Sequence, residues 1–257
     1  MTPNALWVAF STILVKEVRR FLRIWGQTLL PPAITMVLYF IVFGQFIGPR
    51  IGTMGGTQYI TFIVPGLIMM SVITNSYNNV VSSFFANKFQ RSIQEMLVSP
   101  TPSWVILAGY VSGSVARGIL VGILVSLVSL AFTRLPVYNF VVLVSVVVIT
   151  AIVFSLAGLI NGVFAKNFDH VSLVPTFVLT PLTYLGGVFY SVELLAEPWQ
   201  ALSRLNPILY MVSAFRYGFL GITDVPLETS FIMLGVFVVG LSLLCYWLLH
   251  TGRGIRE

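Results

Sequence analysis

The sequence is poor in charge, cysteine and histidine, and each scarcity excludes a class of protein. Only 9% of the 257 residues are charged, against about 25% in an ordinary soluble domain, which indicates an integral membrane protein. The single cysteine, Cys245, excludes disulfides and cysteine metal sites. The two histidines, His170 and His250, are far apart and outside any H-E-x-x-H pattern, so we expect no metal site.

Motifs for energy conversion and catalysis are also missing. The sequence has no G-x-x-x-x-G-K-[ST] segment, so it does not bind ATP through a P-loop. It has no G-x-S-x-G nucleophile turn either. No acidic residue falls in the middle of an apolar segment, which disfavours an ion-driven secondary transporter. We therefore expect no enzymatic activity and no cofactor in this chain, and transport would need energy from a partner.

Apolar segments make up most of the chain, which is 57% hydrophobic with a mean hydropathy of +0.95. Helices are the default membrane-spanning element because lipid cannot satisfy a free backbone. The sequence predicts an all-α membrane protein with a single transmembrane domain at 1–257. Its six predicted spans are 26–48, 58–84, 104–132, 138–164, 172–190 and 228–250.

An amphipathic helix is predicted at 4–24, before the first span. Apolar residues such as Trp7 and Phe10 recur at helical spacing, and charged residues such as Glu17 and Arg20 lie largely opposite. This pattern is typical of a helix lying on the membrane surface with its charged face in water. The alternative is a solvated basic leader.

The longest polar interruption between apolar segments is 88–102, KFQRSIQEMLVSPTP. It predicts a short amphipathic helix ended by Ser99-Pro100 and Thr101-Pro102, since proline cannot continue a helix. An ordered polar helix on a membrane protein indicates that a partner docks there. The alternative is a solvated loop helix, because charged faces usually lie in water.

The distribution of basic residues predicts the orientation of the six spans. Nine basic residues fall on the side that holds both termini, and four fall on the other side. The positive-inside rule places the nine, and therefore both termini and loop 88–102, in the cytoplasm. For the same reason the net charge of +6 is interpreted as a topology signal and not as nucleic-acid affinity. The nine are Lys16, Arg19, Arg20, Arg23, Lys88, Arg91, Lys166, Arg253 and Arg256.

Two predicted spans carry polar stripes, and the third span carries a charge. Both stripes have two interpretations, a helix-packing face or the lining of a substrate pathway. For Arg117, one turn after Gly113, we favour a structural or switching role over substrate binding, with Glu95 and Asp169 as the nearest acidic candidates. The stripes are Asn75, Asn78 and Ser82 in the second span, and Thr176, Thr180 and Thr183 in the fifth.

Residues 193–224 contain apolar stretches too short to span a bilayer and too apolar for a free loop. Segments of this length are typical of re-entrant or interfacial helices. We predict two short helices that dip back from the outer face and join near Asn206-Pro207. Arg216 would pair there with Glu197 or Asp224.

The order of these parts resembles the permeases of ABC-2 type exporters over essentially the whole chain. The local sequence agrees in FQRSIQEMLVSPTP at 89–102, LTPLTYLGGVFYSVELL at 179–195 and LNPILYMVSAFRYGFLG at 205–221. The last segment resembles the family signature at Asn206, Pro207, Tyr210, Arg216 and Gly221.

The resemblance implies a homodimeric permease of the bacterial inner membrane with two separate ATP-binding subunits, which would hold ATP and Mg. Segment 88–102 would be the coupling helix and 4–24 the connecting helix. The pathway would lie at the dimer axis between spans 2 and 5, with the re-entrant pair as an outer gate. Coupling would use Lys88, Arg91, Gln94, Glu95 and Val98.

Relatives in this family export polysaccharides, nodulation factors and drugs, so the resemblance implies export of an amphipathic, glycosylated or lipid-like substrate. Two alternatives from other classes remain at this point. One is a membrane scaffold or assembly factor that transports nothing and has no ATPase partner. The other is a secondary transporter driven by an ion gradient.

Overall fold

The computed structural model describes residues 2–255, which are almost entirely helical. Residue Arg256 of the predicted basic tail therefore lies outside the described residues. Five helices among these residues are long and apolar enough to cross a membrane. They are Trp25–Ile51, Tyr59–Phe89, Ser103–Ser129, Phe140–Phe164 and Leu227–Thr251.

The N-terminal part consists of one long helix, a kinked span and a hairpin. The hairpin turns at Gly55-Gly56, whose φ angles of +57° and +76° suit a tight turn that side chains disfavour. The elements are α1 Pro3–Arg23, α2 Trp25–Thr28, α3 Leu30–Tyr39, a π-helical segment Phe40–Ile47, α4 Gly48–Ile51, and the antiparallel strands β1 Thr53–Met54 and β2 Thr57–Gln58.

The remaining elements form a bundle around one central helix. They are α5 Tyr59–Phe89, α6 Ser92–Val98, α7 Ser103–Ser129, α8 Phe140–Phe164, α9 Phe168–Val174, a π-helical segment Pro175–Leu179, α10 Thr180–Leu185, a 3₁₀ turn Val192–Leu194, α11 Glu197–Arg204, α12 Pro207–Leu220 and α13 Leu227–Thr251. We call the end of the bundle that carries α6 the inner end, and the end that carries the hairpin the outer end.

Helix α5 is the centre of the bundle and packs against α7, α8 and α12. Small residues on its neighbours allow this close approach. A Cβ at Gly158 of α8 would lie 2.6 Å from the Tyr77 carbonyl oxygen, and one at Gly118 of α7 would collide with the Ser76 hydroxyl. Glycines at such contacts let helix backbones approach closely.

Helices α8 and α13 run in the same direction. The Cys245 thiol of α13 contacts the Leu156 carbonyl oxygen of α8 at 3.4 Å. Gly254, just beyond α13, packs on Val163 near the end of α8. Both helices therefore end at the inner end, and the chain between them must return to the outer end.

Segment 168–185, made of α9, the π-helical segment and α10, makes this return. Phe168 packs edge-on against Phe85 near the inner end of α5, with ring centres 5.0 Å apart. Val188, just past α10, packs on Gly66 near the outer end. These α5 positions are 19 residues apart, about 28 Å along a helix. The segment, predicted as span 172–190, is not among the five long apolar helices. It is continuously helical over 168–185, and Pro175 begins its π-helical part.

Candidate functional site

The connection between α5 and α6 reverses the chain at the inner end. Helix α5 continues to Phe89, so it contains Lys88, which the sequence had placed in the next helix. Arg91 follows with φ +62°, a left-handed conformation that costs a side-chain-bearing residue about 1 kcal/mol. Among residues 2–255 it is the one non-glycine residue with positive φ. Helix α6 then spans Ser92–Val98, half the predicted length.

Helix α6 has one fixed face and one open face. Ile93 is fully buried in the inner core against residues such as Phe84 and Ile106, with Met96 and Leu97 partly buried beside it. The open face carries a valine whose side chain is 85% exposed. This face consists of Arg91, Gln94, Glu95 and Val98, the predicted contact residues without Lys88.

Lys88, the fifth predicted contact residue, is half-buried in the last turn of α5. Its ammonium group donates to the carbonyl oxygens of Val163 at 2.6 Å and Ala165 at 3.0 Å. These carbonyls are at the end of α8, where no intrahelical partner remains. Lys88 therefore joins the inner ends of α5 and α8. Its role in docking stays a prediction.

Helix α1 packs against the first half of α7. Ile13 covers Gly109 and Glu17 covers Gly113, so both helices advance by four residues in the same direction. Glu17 is fully buried, although its charge had suggested a place in water. Its carboxylate accepts hydrogen bonds from the Ser83 hydroxyl at 2.6 Å and from Arg20 at 3.2 and 3.3 Å.

Arg20 links Glu17 to the central helix. Its guanidinium group donates to the Asn79 carbonyl oxygen at 2.9 Å and to the Asn79 side-chain oxygen at 2.8 Å. The Asn79 amide nitrogen in turn donates to Ser114 of α7 at 2.9 Å. Three helices thus meet at an inner polar cluster, defined as Glu17, Arg20, Asn75, Asn79, Ser83, Ser114 and Arg117.

Arg117 completes this cluster from α7. Its guanidinium group donates to the Asn75 side-chain oxygen at 3.1 Å and to the Asn79 side-chain oxygen at 3.5 Å. Its Nε is buried without a hydrogen-bond partner. Arg117 therefore contacts neutral amides, and neither Glu95 nor Asp169 forms an ion pair with it.

The residues of each polar stripe differ in how far their side chains are buried. Asn75 is buried and bonded to Arg117, whereas Asn78 is half-buried and Ser82 is exposed. On segment 168–185, Thr176 and Thr180 are exposed. Thr183 is 2% exposed and donates to the Leu179 carbonyl oxygen at 2.7 Å. The stripe residues with exposed or half-buried side chains are therefore Asn78, Ser82, Thr176 and Thr180. The Ser82 and Thr180 hydroxyls also donate within the chain, to the carbonyl oxygens of Asn78 and Pro175.

A second arginine, Arg216 of α12, is fully buried near the outer end. It forms an ion pair with Asp224 at 2.5 Å and donates to the Gly187 carbonyl oxygen at 2.6 Å. Its guanidinium carbon lies 3.9 Å from the centre of the Phe62 ring. Of the two predicted partners, Asp224 is the one that contacts Arg216.

The other signature residues position α12. Asn206 caps the helix by accepting from the Ile208 amide at 3.0 Å, and its own amide donates to the Leu182 carbonyl oxygen. Pro207 occupies the first turn, where proline is tolerated. The Tyr210 hydroxyl donates to the Arg204 carbonyl oxygen at 2.7 Å, which fixes α11 against α12.

Sequence reasoning missed Glu17 and Asn79 as the centre of the inner cluster. The available signal was matched spacing, since Ile13 and Glu17 are four residues apart, as are Gly109 and Gly113. Small residues at that interval allow a neighbouring helix to pack closely. Ile13 and Glu17 lie on the face of α1 that makes this contact.

The sequence is similar to one family of membrane transport proteins over most of its length. The model of the family described as ABC-2 type transporter matches residues 8–220. The inner membrane transport permease YadH of Escherichia coli strain K12 is 64% identical over 251 residues, covering 98% of each chain. Nodulation protein J of Neorhizobium galegae is 22% identical over 214 residues, covering 81% of this chain and 82% of its own.

Proposed function

This chain belongs to the ABC-2 type transporter family, and we propose that it is the membrane subunit of an ATP-driven exporter in the bacterial inner membrane. The name of the Escherichia coli relative describes an inner membrane transport permease, which supports this location and a transport role. ATP hydrolysis would come from a separate ATP-binding subunit, because this sequence has no P-loop.

The proposed topology has six crossings with both termini in the cytoplasm. The parallel course of α8 and α13 supports the sixth crossing, since the chain between them returns from one end to the other. Segment 168–185 has 18 residues, about 27 Å as a helix, close to the bilayer core of about 30 Å. Helices α11 and α12 would be the re-entrant pair at the outer face.

The observation that carries the proposal is the open face of α6. Buried Ile93 fixes the helix to the inner core, while Arg91, Gln94, Glu95 and Val98 face away from the bundle. An exposed valine next to charged residues is typical of a protein–protein interface, in which the apolar centre loses its contact with water when the partner binds. A force on this helix would pass directly to α5 and α7, which flank it.

The complex would contain two permeases and two ATP-binding subunits. The substrate pathway would lie between the permeases and use exposed polar groups of α5 and segment 168–185. Asn78, Ser82, Thr176 and Thr180 are the side chains available for this role. An amphipathic, glycosylated or lipid-like substrate suits a path lined by hydroxyl and amide groups beside exposed aromatic rings such as Phe177.

The test is reversal of the Glu95 charge in a reconstituted complex with the cognate ATP-binding subunit. Glu95→Arg should leave expression unchanged and lower permease-dependent stimulation of ATP hydrolysis at least tenfold, because a rim charge of the wrong sign repels its partner. Purified permease alone should hydrolyse no ATP.

Glu193→Arg is the matched control, since Glu193 is also exposed but follows segment 168–185 at the opposite end of the bundle. It should leave stimulation unchanged. Full stimulation by the Glu95→Arg complex would show that the docking face is assigned wrongly. Failure to recover any ATP-binding subunit with the unmodified chain would instead favour a scaffold.

A further inference from the structure

An apolar groove of about 500 Å³ opens on the membrane-facing side of the bundle. Helices α7 and α8 form its walls, and its floor includes Ile68 of α5 and Phe215 of α12. The exposed wall residues include Ile123 at 54%, Leu127 at 60% and Val144 at 46%. The groove is therefore a lateral cleft in a face that the proposed topology places in lipid.

The lining offers no free polar side chain. Ser126 is the one hydroxyl-bearing residue among those that line the groove, and its hydroxyl donates to the Gly122 carbonyl oxygen of its own helix at 2.7 Å. All other lining residues are apolar. An occupant must therefore be hydrocarbon along its whole buried length, because an unpaired polar group there would be costly.

The groove is one leaflet deep. Along α7 it extends from Ile119 to Leu130, the residue that caps the helix, a distance of 11 residue steps or about 17 Å. That length is close to half of a hydrocarbon core of about 30 Å. One end of the groove, which we call its upper end, lies at the outer end of the bundle, where α7 connects to α8. It is lined by Leu130, Leu135 and Phe140.

A positive charge lies at this upper end. Arg134 is exposed and directly precedes Leu135, which lines the groove. The two ion pairs between residues 2 and 255 join Arg20 to Glu17 and Arg216 to Asp224, so Arg134 has no acidic partner in that part of the chain. Tyr138 is also exposed at this level, as aromatic residues at a membrane interface commonly are.

We propose that this groove binds one acyl chain of an outer-leaflet phospholipid, with Arg134 at its mouth binding the lipid phosphate. The site would hold lipid alongside the transporter, separate from the pathway between permeases. The assignment to the outer leaflet rests on the topology given under the proposed function. Binding itself depends only on the groove and Arg134, and it needs no ATP-binding subunit.

The experiment uses purified full-length permease in nanodiscs that contain phosphatidylglycerol with a photoreactive acyl chain. Cross-linked peptides are then mapped by mass spectrometry. Labels should concentrate in 119–130 and 140–148. Val144→Trp, which fills the groove wall, should lower this labelling at least fivefold. Ile232→Trp is the matched control, because Ile232 is 68% exposed on α13 and does not line the groove.

A second arm tests the phosphate contact. Arg134→Gln should lower labelling by phosphatidylglycerol about fivefold, since a basic residue near an anionic headgroup contributes about 1 kcal/mol. Labelling by a diacylglycerol probe with the same photoreactive chain should not change. Equal loss for both probes would overturn the role of Arg134.

Two further results would overturn the groove assignment. One is uniform labelling of all lipid-facing helices. The other is efficient disulfide formation by Leu127→Cys, which would show that a second copy covers the groove. Labelling of Arg134→Cys by an impermeant thiol reagent in intact cells tests sidedness separately. Absence of thiol labelling in that variant, with lipid cross-linking of the unmodified chain still confined to the groove, would reject the topology and keep the acyl-chain site.

Discussion

Arg216, which is fully buried, and Arg117, which is half-buried, are held in opposite ways. Arg216 has a carboxylate partner, a backbone carbonyl and an aromatic ring around it, and its side chain is 1% exposed. Arg117 has two side-chain amides, and one of them, on Asn79, also accepts from Arg20. Removal of one partner from a buried ion pair leaves an uncompensated charge, whereas amide partners can be exchanged. We therefore expect the outer arginine to act as a fixed clamp and the inner one to exchange partners more readily.

The largest expected effect is at the outer clamp. Arg216→Met leaves the Asp224 carboxylate, whose side chain is 9% exposed, without its cation. It should lower the free energy of unfolding by about 3–5 kcal/mol. The corresponding decrease in Tm is roughly 10 °C, measurable on purified protein in detergent by loss of the monodisperse peak after heating.

A double variant sharpens this result. Arg216→Met combined with Asp224→Leu removes both charges and should recover at least half of the lost stability, because an apolar pair of similar volume often replaces a buried ion pair at little cost. If Arg216→Met alone changes Tm by less than 2 °C, the ion pair of Arg216 does not hold the outer end together.

An intermediate effect is expected at Glu17, the one carboxylate of the inner polar cluster. Glu17→Gln removes the charge that balances Arg20 and weakens the contact with Ser83. Because hydrogen bonds to charged groups contribute about 1.5–3 kcal/mol each, stability should fall by about 2 kcal/mol. The same heating assay measures the loss.

Glu228→Gln is the control for this substitution, since Glu228 is exposed in the first turn of α13. It should change Tm by less than 1 °C. A Glu17→Gln protein as stable as this control would mean that α1 is held by apolar packing alone, with Ile13 and Phe21 sufficient to fix it.

The five long apolar helices were predictable because the absence of water in the bilayer constrains both their length and their composition. The all-helical fold and the family were confirmed. Helix ends were harder to predict. Lys88 follows an apolar span and looks like the start of a polar loop, but its ammonium group caps α8 from the last turn of α5. That contact joins residues 75 positions apart, and no local pattern encodes it.

The inner polar cluster also depends on contacts between residues far apart in the sequence, so local patterns did not predict it. Amphipathicity placed the charged face of α1 in water, since charged residues on such helices usually lie there. In the fold, Glu17 is instead buried over Gly113 with Arg20 and Ser83 as partners. The burial of Glu17 depends on Ser83 of α5 and on the space that Gly113 of α7 leaves, so it follows from tertiary packing. Arg216 was easier, because Asp224 is only eight residues away.

The smallest effect on stability is expected at Arg117. There the difference between the two arginines should appear in transport activity instead of stability. Arg117→Met removes two bonds to neutral amides and a buried Nε that has no partner. These changes partly offset each other, so we expect a loss of about 1 kcal/mol. If Arg117 changes partners during transport, the reconstituted complex should nevertheless lose at least fivefold in stimulated ATP hydrolysis. Arg117→Lys keeps the charge and should retain more of that stimulation. A stability loss equal to that of Arg216→Met, with stimulation intact, would make both arginines fixed clamps.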